Sequence, residues 1–221
     1  MLKKFDIIMD SCFVSHLEKG IAILKPIDKA IVCLEGDSVP VSEIHYLLMV
    51  DLKNQYESME CLEELKKTYL LGLLQARMDF LYGNAIGIAY LLDLRYLGDG
   101  MATVQKRKTE DIIFNFVHDQ KETLFMEYTQ FMNSAGQEHD ASDFWFQMLM
   151  NQTKTVLQYL LIDSKEYRLL REIAVKVFSM VTSSAAFERN FSMMGFVHSK
   201  LRNSLKQESV KKLVYIKTNA P

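Results

Sequence analysis

The sequence predicts an all-α protein, and three observations carry that expectation. Apolar residues recur at spacings of three and four in segment after segment, the pattern of a helix with one buried face. Hydroxyl or acidic residues with capping spacing precede several of these segments. No alternating or β-branched series of the kind that marks strands opens the chain. With 221 residues, 49% hydrophobic and 24% charged, the composition is that of a globular protein large enough for one or two small cores. Nine glycines and three prolines are too few for a disordered chain.

The first predicted helix begins near Pro26, a residue tolerated in a first turn, and carries a stripe of Ile23, Ile27, Ala30, Ile31 and Leu34. Gly36 with Asp37 ends it, and Pro40 marks a connector. Ser42 is placed to cap a second helix running through Ile44, Leu47, Leu48 and Leu52. A third run, from Glu60, lines up Leu62, Leu65, Tyr69, Leu73, Ala76 and Phe80 on one side before Gly83, so packed helical hairpins are expected. The apolar stretch from Asn84 to Gly100 has no clear period and leaves helix and short strand both open. Within it Asp93 and Arg95 suit a salt bridge or a buried network better than catalysis, because a lone acid beside an arginine is commonly structural.

Next comes one long amphipathic stretch with Ile112, Ile113, Phe116, Val117, Leu124, Tyr128, Phe131 and Met132 at helical spacing. The polar run Asn133 to Ser142 is the predicted boundary or loop, dividing residues 1–142 from 143–221. Beyond it Trp145, Leu149, Val156, Leu157, Leu160 and Leu161 form one element broken near Asp163. Asp163 and Glu166 have capping-box spacing before the clearest helical stripe of the chain, Leu170, Ile173, Ala174, Val177 and Val181.

Several classes of function are disfavoured. No run of 18 apolar residues and no signal peptide is seen, since Asp6 and Asp10 interrupt the opening apolar patch, so a soluble intracellular chain is expected. Cys12, Cys33 and Cys61 are odd in number and form no C-x-x-C pair, which argues against a disulfide framework or zinc finger and for small buried hydrophobes. Nucleotide-binding, hydrolase and zinc-protease motifs are missing, and the five histidines are scattered.

The C-terminal forty residues hold the most information. Thr182, Ser183 and Ser184 are placed to cap a helix starting near Ala185, on which Phe187, Phe191 and Met194 share one face, while Gly195 is a natural stop. Ser204 and Gln207 have capping-box spacing ahead of a last helix bearing Val210, Leu213 and Val214. Residues 189–221 hold seven basic residues (Arg189, Lys200, Arg202, Lys206, Lys211, Lys212 and Lys217) against one acid, Glu208. That is +6 in a chain of −2, leaving −8 for the rest, and it fits either a polyanionic partner or a solvated face.

These residues carry a resemblance. SSAAFERNFSMMGFVHSKLRNSL (183–205), followed by SVKKLVYIKTN (209–219), resembles the C-terminal dimerisation region of the hAT superfamily of DNA transposases. The usual pattern there is a small-residue run, then S-E-R-x-F-S, a glycine and R-x-R/N-x-L. Phe187 stands where the family has Ser, with Glu188, Arg189, Phe191 and Ser192 in register. Upstream, residues 24–37, 90–100 and the Trp145 region resemble stations of the helical insertion of these enzymes, with Leu94 where proline is common.

The resemblance implies an insertion-type helical bundle followed by the C-terminal helices of an RNase H-like fold. Family enzymes bind two divalent cations, Mg²⁺ or Mn²⁺, through two aspartates and one glutamate. The family motif places that glutamate at Glu188, whereas the aspartates should precede the insertion, within or near which this chain begins. One carboxylate holds Mg²⁺ weakly, so the chain alone is expected to be no competent transposase and to need no cofactor. Glu188 is then a relic ligand or an acid on a helix border.

The expected role is dimerisation with a second copy or a related chain. Phe187, Phe191, Met194, Leu201, Leu205, Val210, Leu213 and Val214 are the packing residues. The alternative is DNA binding through Arg189, Lys200, Arg202, Lys206, Lys211 and Lys212, within a complete enzyme whose N-terminal part is missing here. A nuclear location is implied by the resemblance alone, a cytoplasmic one otherwise, and no membrane partner is expected.

Overall fold

The computed structural model describes residues 12–36, 39–81, 83–117, 119–138, 144–151, 155–158 and 167–185, with residues 188, 192, 208, 209, 211–213 and 215 beyond. Among the described residues every regular element is a helix and there is no strand. Helix α1 (Phe13–Leu34) comes first. Helix α2 (Ser42–His45) then runs through a π-helical segment (Tyr46–Asp51) straight into α3 (Leu52–Glu57). After these come α4 (Glu64–Leu81), α5 (Asn84–Leu92), α6 (Thr103–Phe114) and α7 (Lys121–Glu138). Two further helices, α8 (Phe144–Met150) and α9 (Arg168–Phe178), follow.

Helix α5 is the axis of the larger core. Its residues Ile86 to Leu92 are all buried, and α2, α6 and α9 pack around it. A helix covered on every side has no polar face, which is why residues 84–100 show no period in sequence. Side chains from Val41 to Val177 meet in this core, with Met78, Ile113, Leu124, Phe131, Leu149 and Ile173 among the most buried. The smaller core joins α1, the π-helical segment and α3 through Ala30, Leu47, Leu52 and Tyr56, with Leu62 from the turn before α4 beside them and Leu70, Leu71 and Leu74 of α4 packed against it.

A buried polar cluster locks α2 to the turn after α5. Asp93 is 0% exposed and accepts hydrogen bonds from the Arg95 guanidinium (2.7 and 3.0 Å), the Arg95 backbone N–H (3.0 Å) and the Ser42 hydroxyl. The other guanidinium nitrogen donates to Glu43 at 2.6 Å, and Glu43 also accepts the Tyr96 hydroxyl at 2.9 Å. Burial opposes the charge on Arg95, but Asp93 and Glu43 outweigh it and lift its pKa above the usual value. Tyr96 stacks between Tyr46 and Tyr90, with ring centroids 4.9 Å from each. The turn is closed by Gly98 at φ +74°, where an added Cβ would fall 2.5 Å from the Leu91 side chain. Asp93 therefore serves structure, as its arginine neighbour suggests.

Several expectations are corrected. Helix α1 begins at Phe13, with Pro26 inside it rather than at its start. A proline there removes one helical hydrogen bond; the turn is bolstered by the Tyr56 hydroxyl, which donates to the Ile23 carbonyl at 3.0 Å. Ser42 is the first residue of α2 and bonds Asp93 instead of capping. The α4 stripe faces solvent, with Leu65 81% and Phe80 79% exposed, while Leu70, Leu71, Leu74 and Met78 turn inward. The stretch after Gly100 is two helices, α6 and α7, broken at residues 115–120. Residues 133–138, expected as loop, continue α7. The element from Trp145 stops at Met150, and residues 156–158 are a separate turn of helix. Cys12, Cys33 and Cys61 are exposed, not buried.

Candidate dimerisation site

The C-terminal part is built on an α7–α9 pair. Leu170, Ile173, Ala174 and Val177 of α9 are buried, as their spacing predicts, whereas Val181 lies beyond the helix and is exposed. The predicted cap at Asp163 and Glu166 falls outside the described residues. The start of α9 is instead held from another helix. Glu127 of α7, only 9% exposed, accepts the backbone N–H groups of Leu169 (2.8 Å) and Leu170 (2.9 Å) through one carboxylate oxygen. These are two of the donors that a helix leaves orphaned in its first turn, where the dipole also favours negative charge. Sequence reading missed Glu127 because a cap supplied from 42 residues away leaves no local spacing.

Aromatic contacts complete the pair. Phe131 meets Tyr167 edge to face at 6.0 Å, and the Tyr167 and Ser134 hydroxyls are 3.1 Å apart. Tyr128 donates to Glu110 at 2.9 Å; burial first, and that bond second, push its pKa up.

After α9 the chain turns back onto α1. Thr182 donates its hydroxyl to the Leu34 carbonyl at 3.0 Å, tying the strap to the C-terminus of α1. The Ser183 hydroxyl accepts the Ala185 N–H at 3.3 Å, the capping expected of this small-residue run. Ala185, Glu188 and Ser192 have helical conformation, as do residues 208, 209, 211–213 and 215. Glu188 is exposed; its backbone N–H bonds the Ser184 carbonyl at 2.9 Å and its side chain accepts the Ser184 hydroxyl at 2.8 Å. Its carboxylate thus serves the first turn of its own helix.

Leu213 is partly exposed, and Lys211 and Lys212 are exposed beside it. The other predicted packing residues (Phe187, Phe191, Met194, Leu201, Leu205, Val210 and Val214) lie outside the described residues, as do Arg189, Lys200, Arg202 and Lys206. Among the described residues no group of three His, Cys, Asp or Glu side chains is placed to hold a metal ion, and no helix is long and apolar enough to cross a membrane.

Residues 131–220 match the family model described as the hAT family C-terminal dimerisation region. That stretch of the chain is similar to the hAT dimerisation region. The match begins in α7, four residues after the Glu127 cap, and takes in α8, α9 and the Thr182–Glu188 strap. No curated protein matches the chain. The described part of the matched stretch shares the larger core, since α7 and α9 contribute Phe131, Leu170 and Ile173 to the same core as α5.

Proposed function

We propose that the protein acts as a protein dimerisation module, pairing with a second copy or a related hAT chain through its C-terminal helices. The observation that carries this reading is the dimerisation-region match over residues 131–220. Leu213, together with Phe187, Phe191, Met194, Leu201, Leu205, Val210 and Val214, forms the apolar contact. Met180 and Val181, both half or more exposed on the strap just before it, extend the same apolar character.

Transposition chemistry is no part of this role for the chain alone. Asp93 is sealed by Arg95 and Ser42, and Glu188, exposed and bonded by Ser184, is a single carboxylate of the kind that holds Mg²⁺ weakly. Mg²⁺ or Mn²⁺ belongs to a complete relative that supplies the aspartates and the RNase H-like sheet onto which these helices would pack. A nuclear location goes with that origin. A second reading, DNA binding by the basic tail, draws on the exposure of Lys211 and Lys212.

Light scattering after size exclusion, at about 0.1 M and about 1 M salt, separates the two readings, because screening shortens from ~10 to ~3 Å across that range. The expected result is a dimer whose mass is unchanged by salt and which Leu213→Asp dissociates. A monomer at every concentration, binding duplex DNA with steep salt dependence, would overturn the dimerisation reading.

A further inference from the structure

Among the described residues, helix α1 carries a seam that no other element covers. Val14, Leu17, Ile21 and Leu24 are spaced three, four and three apart, and Ile31 continues the repeat one heptad beyond Leu24. This is the 3.5-residue period of a two-helix coiled coil, with Asp28 as its one polar position. All five apolar side chains are half or more exposed. They lie on a different face from Ile23, Ile27, Ala30 and Leu34, which point into the smaller core. At Gly20, beside the seam, an added Cβ would meet nothing within 4 Å.

We infer that α1 pairs antiparallel with α1 of a second copy, a contact separate from the C-terminal dimerisation region. The charges flanking the seam select both the occupant and its direction. Glu18 and Lys25 are exposed, seven residues apart on the flank away from the core. A two-fold axis perpendicular to the helix brings that flank against itself, so each Glu18 meets Lys25 of the second copy. The same axis sets Val14 against Ile31 and Ile21 against Leu24 across the seam. Parallel pairing would set Glu18 and Lys25 against Phe13, Gly20 and Ile27, none of which is charged. Space also favours the antiparallel arrangement. Residues 14–19 of α1 are exposed all round, and the two-fold axis lays the body of each copy beside that bare half of the other.

The seam covers two and a half heptads and includes Asp28, too little to hold two chains together unaided. It acts where another contact already raises the effective concentration of the second copy, as the C-terminal region does.

The test uses the full chain, with dimer dissociation constants from sedimentation equilibrium and helix content from circular dichroism. Glu18→Lys turns two attractive pairs into repulsive ones and is expected to weaken the dimer roughly tenfold. The double change Glu18→Lys with Lys25→Glu restores attraction in the antiparallel register and is expected to recover wild-type affinity. Both substitutions are on exposed positions and leave the fold intact. Loss without recovery in the double variant would overturn the inference, as would no change in either. A dimer indifferent to both variants but dissociated by Leu213→Asp would sink the α1 contact while leaving the C-terminal one standing.

Discussion

Replacing Glu127 is the most direct test of how the C-terminal region is held together. Its one oxygen accepts two backbone N–H groups at 2.8 and 2.9 Å, at the start of α9, from a position 9% exposed. A hydrogen bond to a charged group contributes about 1.5 to 3 kcal/mol net, and the dipole adds about 0.3 to 1 kcal/mol. In Glu127→Ala both donors lose their partner, but the vacated space admits water to part of the site. A loss of about 3 kcal/mol is therefore expected. In Glu127→Gln the amide oxygen still accepts both bonds without the charge, and about 1 to 1.5 kcal/mol should go. Urea unfolding followed by circular dichroism reads both, with the slope unchanged if only stability is altered. Because domains are stable by only about 5 to 15 kcal/mol, the alanine effect is large on that scale. The reasoning fails if alanine costs under about 1 kcal/mol, or if glutamine costs as much as alanine.

The remaining predictions concern the buried cluster around α2. Arg95→Met strips Asp93 of its guanidinium while leaving the carboxylate buried, and should destabilise by about 3 to 5 kcal/mol in urea unfolding; Asp93→Asn in that background should recover part of the loss by removing the unpaired charge. His45 stacks on Tyr90 at 4.1 Å, and burial pushes its imidazole down to about 4 from an ordinary 6.5. Its folded form is neutral while the unfolded chain takes up a proton below about pH 6.5, so its contribution is present above that pH and is lost as pH falls towards 4. Between pH 7 and pH 4.5 wild type should lose about 2 to 3 kcal/mol that His45→Phe does not, measured as the difference between their urea curves at the two pH values.

What could be read from sequence followed locality. The stripe Leu170, Ile173, Ala174 and Val177 was legible because one face of α9 is buried and the other wet, so the period survives in the residues themselves. The capping run at Ser183 was legible for the same reason, with donor and acceptor two residues apart. Helix α5 was not, because burial on all sides erases the period. Nor was α4, where Leu65, Tyr69, Leu73 and Phe80 form a clean stripe that faces water while Leu70, Leu71 and Leu74 on the other side face the core. Two apolar faces on one helix give a sequence no means of saying which is inward. Pro26 misled for an energetic reason, since a proline's local preference for a first turn is outweighed when packing on both sides keeps the helix continuous. Glu127 and the Ser42–Asp93 bond join residues 42 and 51 positions apart, beyond the reach of any local pattern.

These long-range ties bear on the proposed dimerisation. The match starts at residue 131, yet Phe131 lies in the same core as Ile86 to Leu92, and the cap on α9 comes from residue 127, just outside it. The buried face of α9 rests on α5 as well as on α7. Thr182, inside the region, is tied to the end of α1. The described start of the C-terminal stretch, Thr182 to Ala185, is therefore positioned by elements far upstream. Substitutions among the buried residues Ile86 to Leu92 or at Glu127 are expected to weaken the proposed association by loosening the platform rather than by removing a contact. The strap also places the C-terminus of α1 beside the start of the C-terminal helices. Pairing at one would bring the α1 helices of two copies into the same neighbourhood, where a short seam suffices.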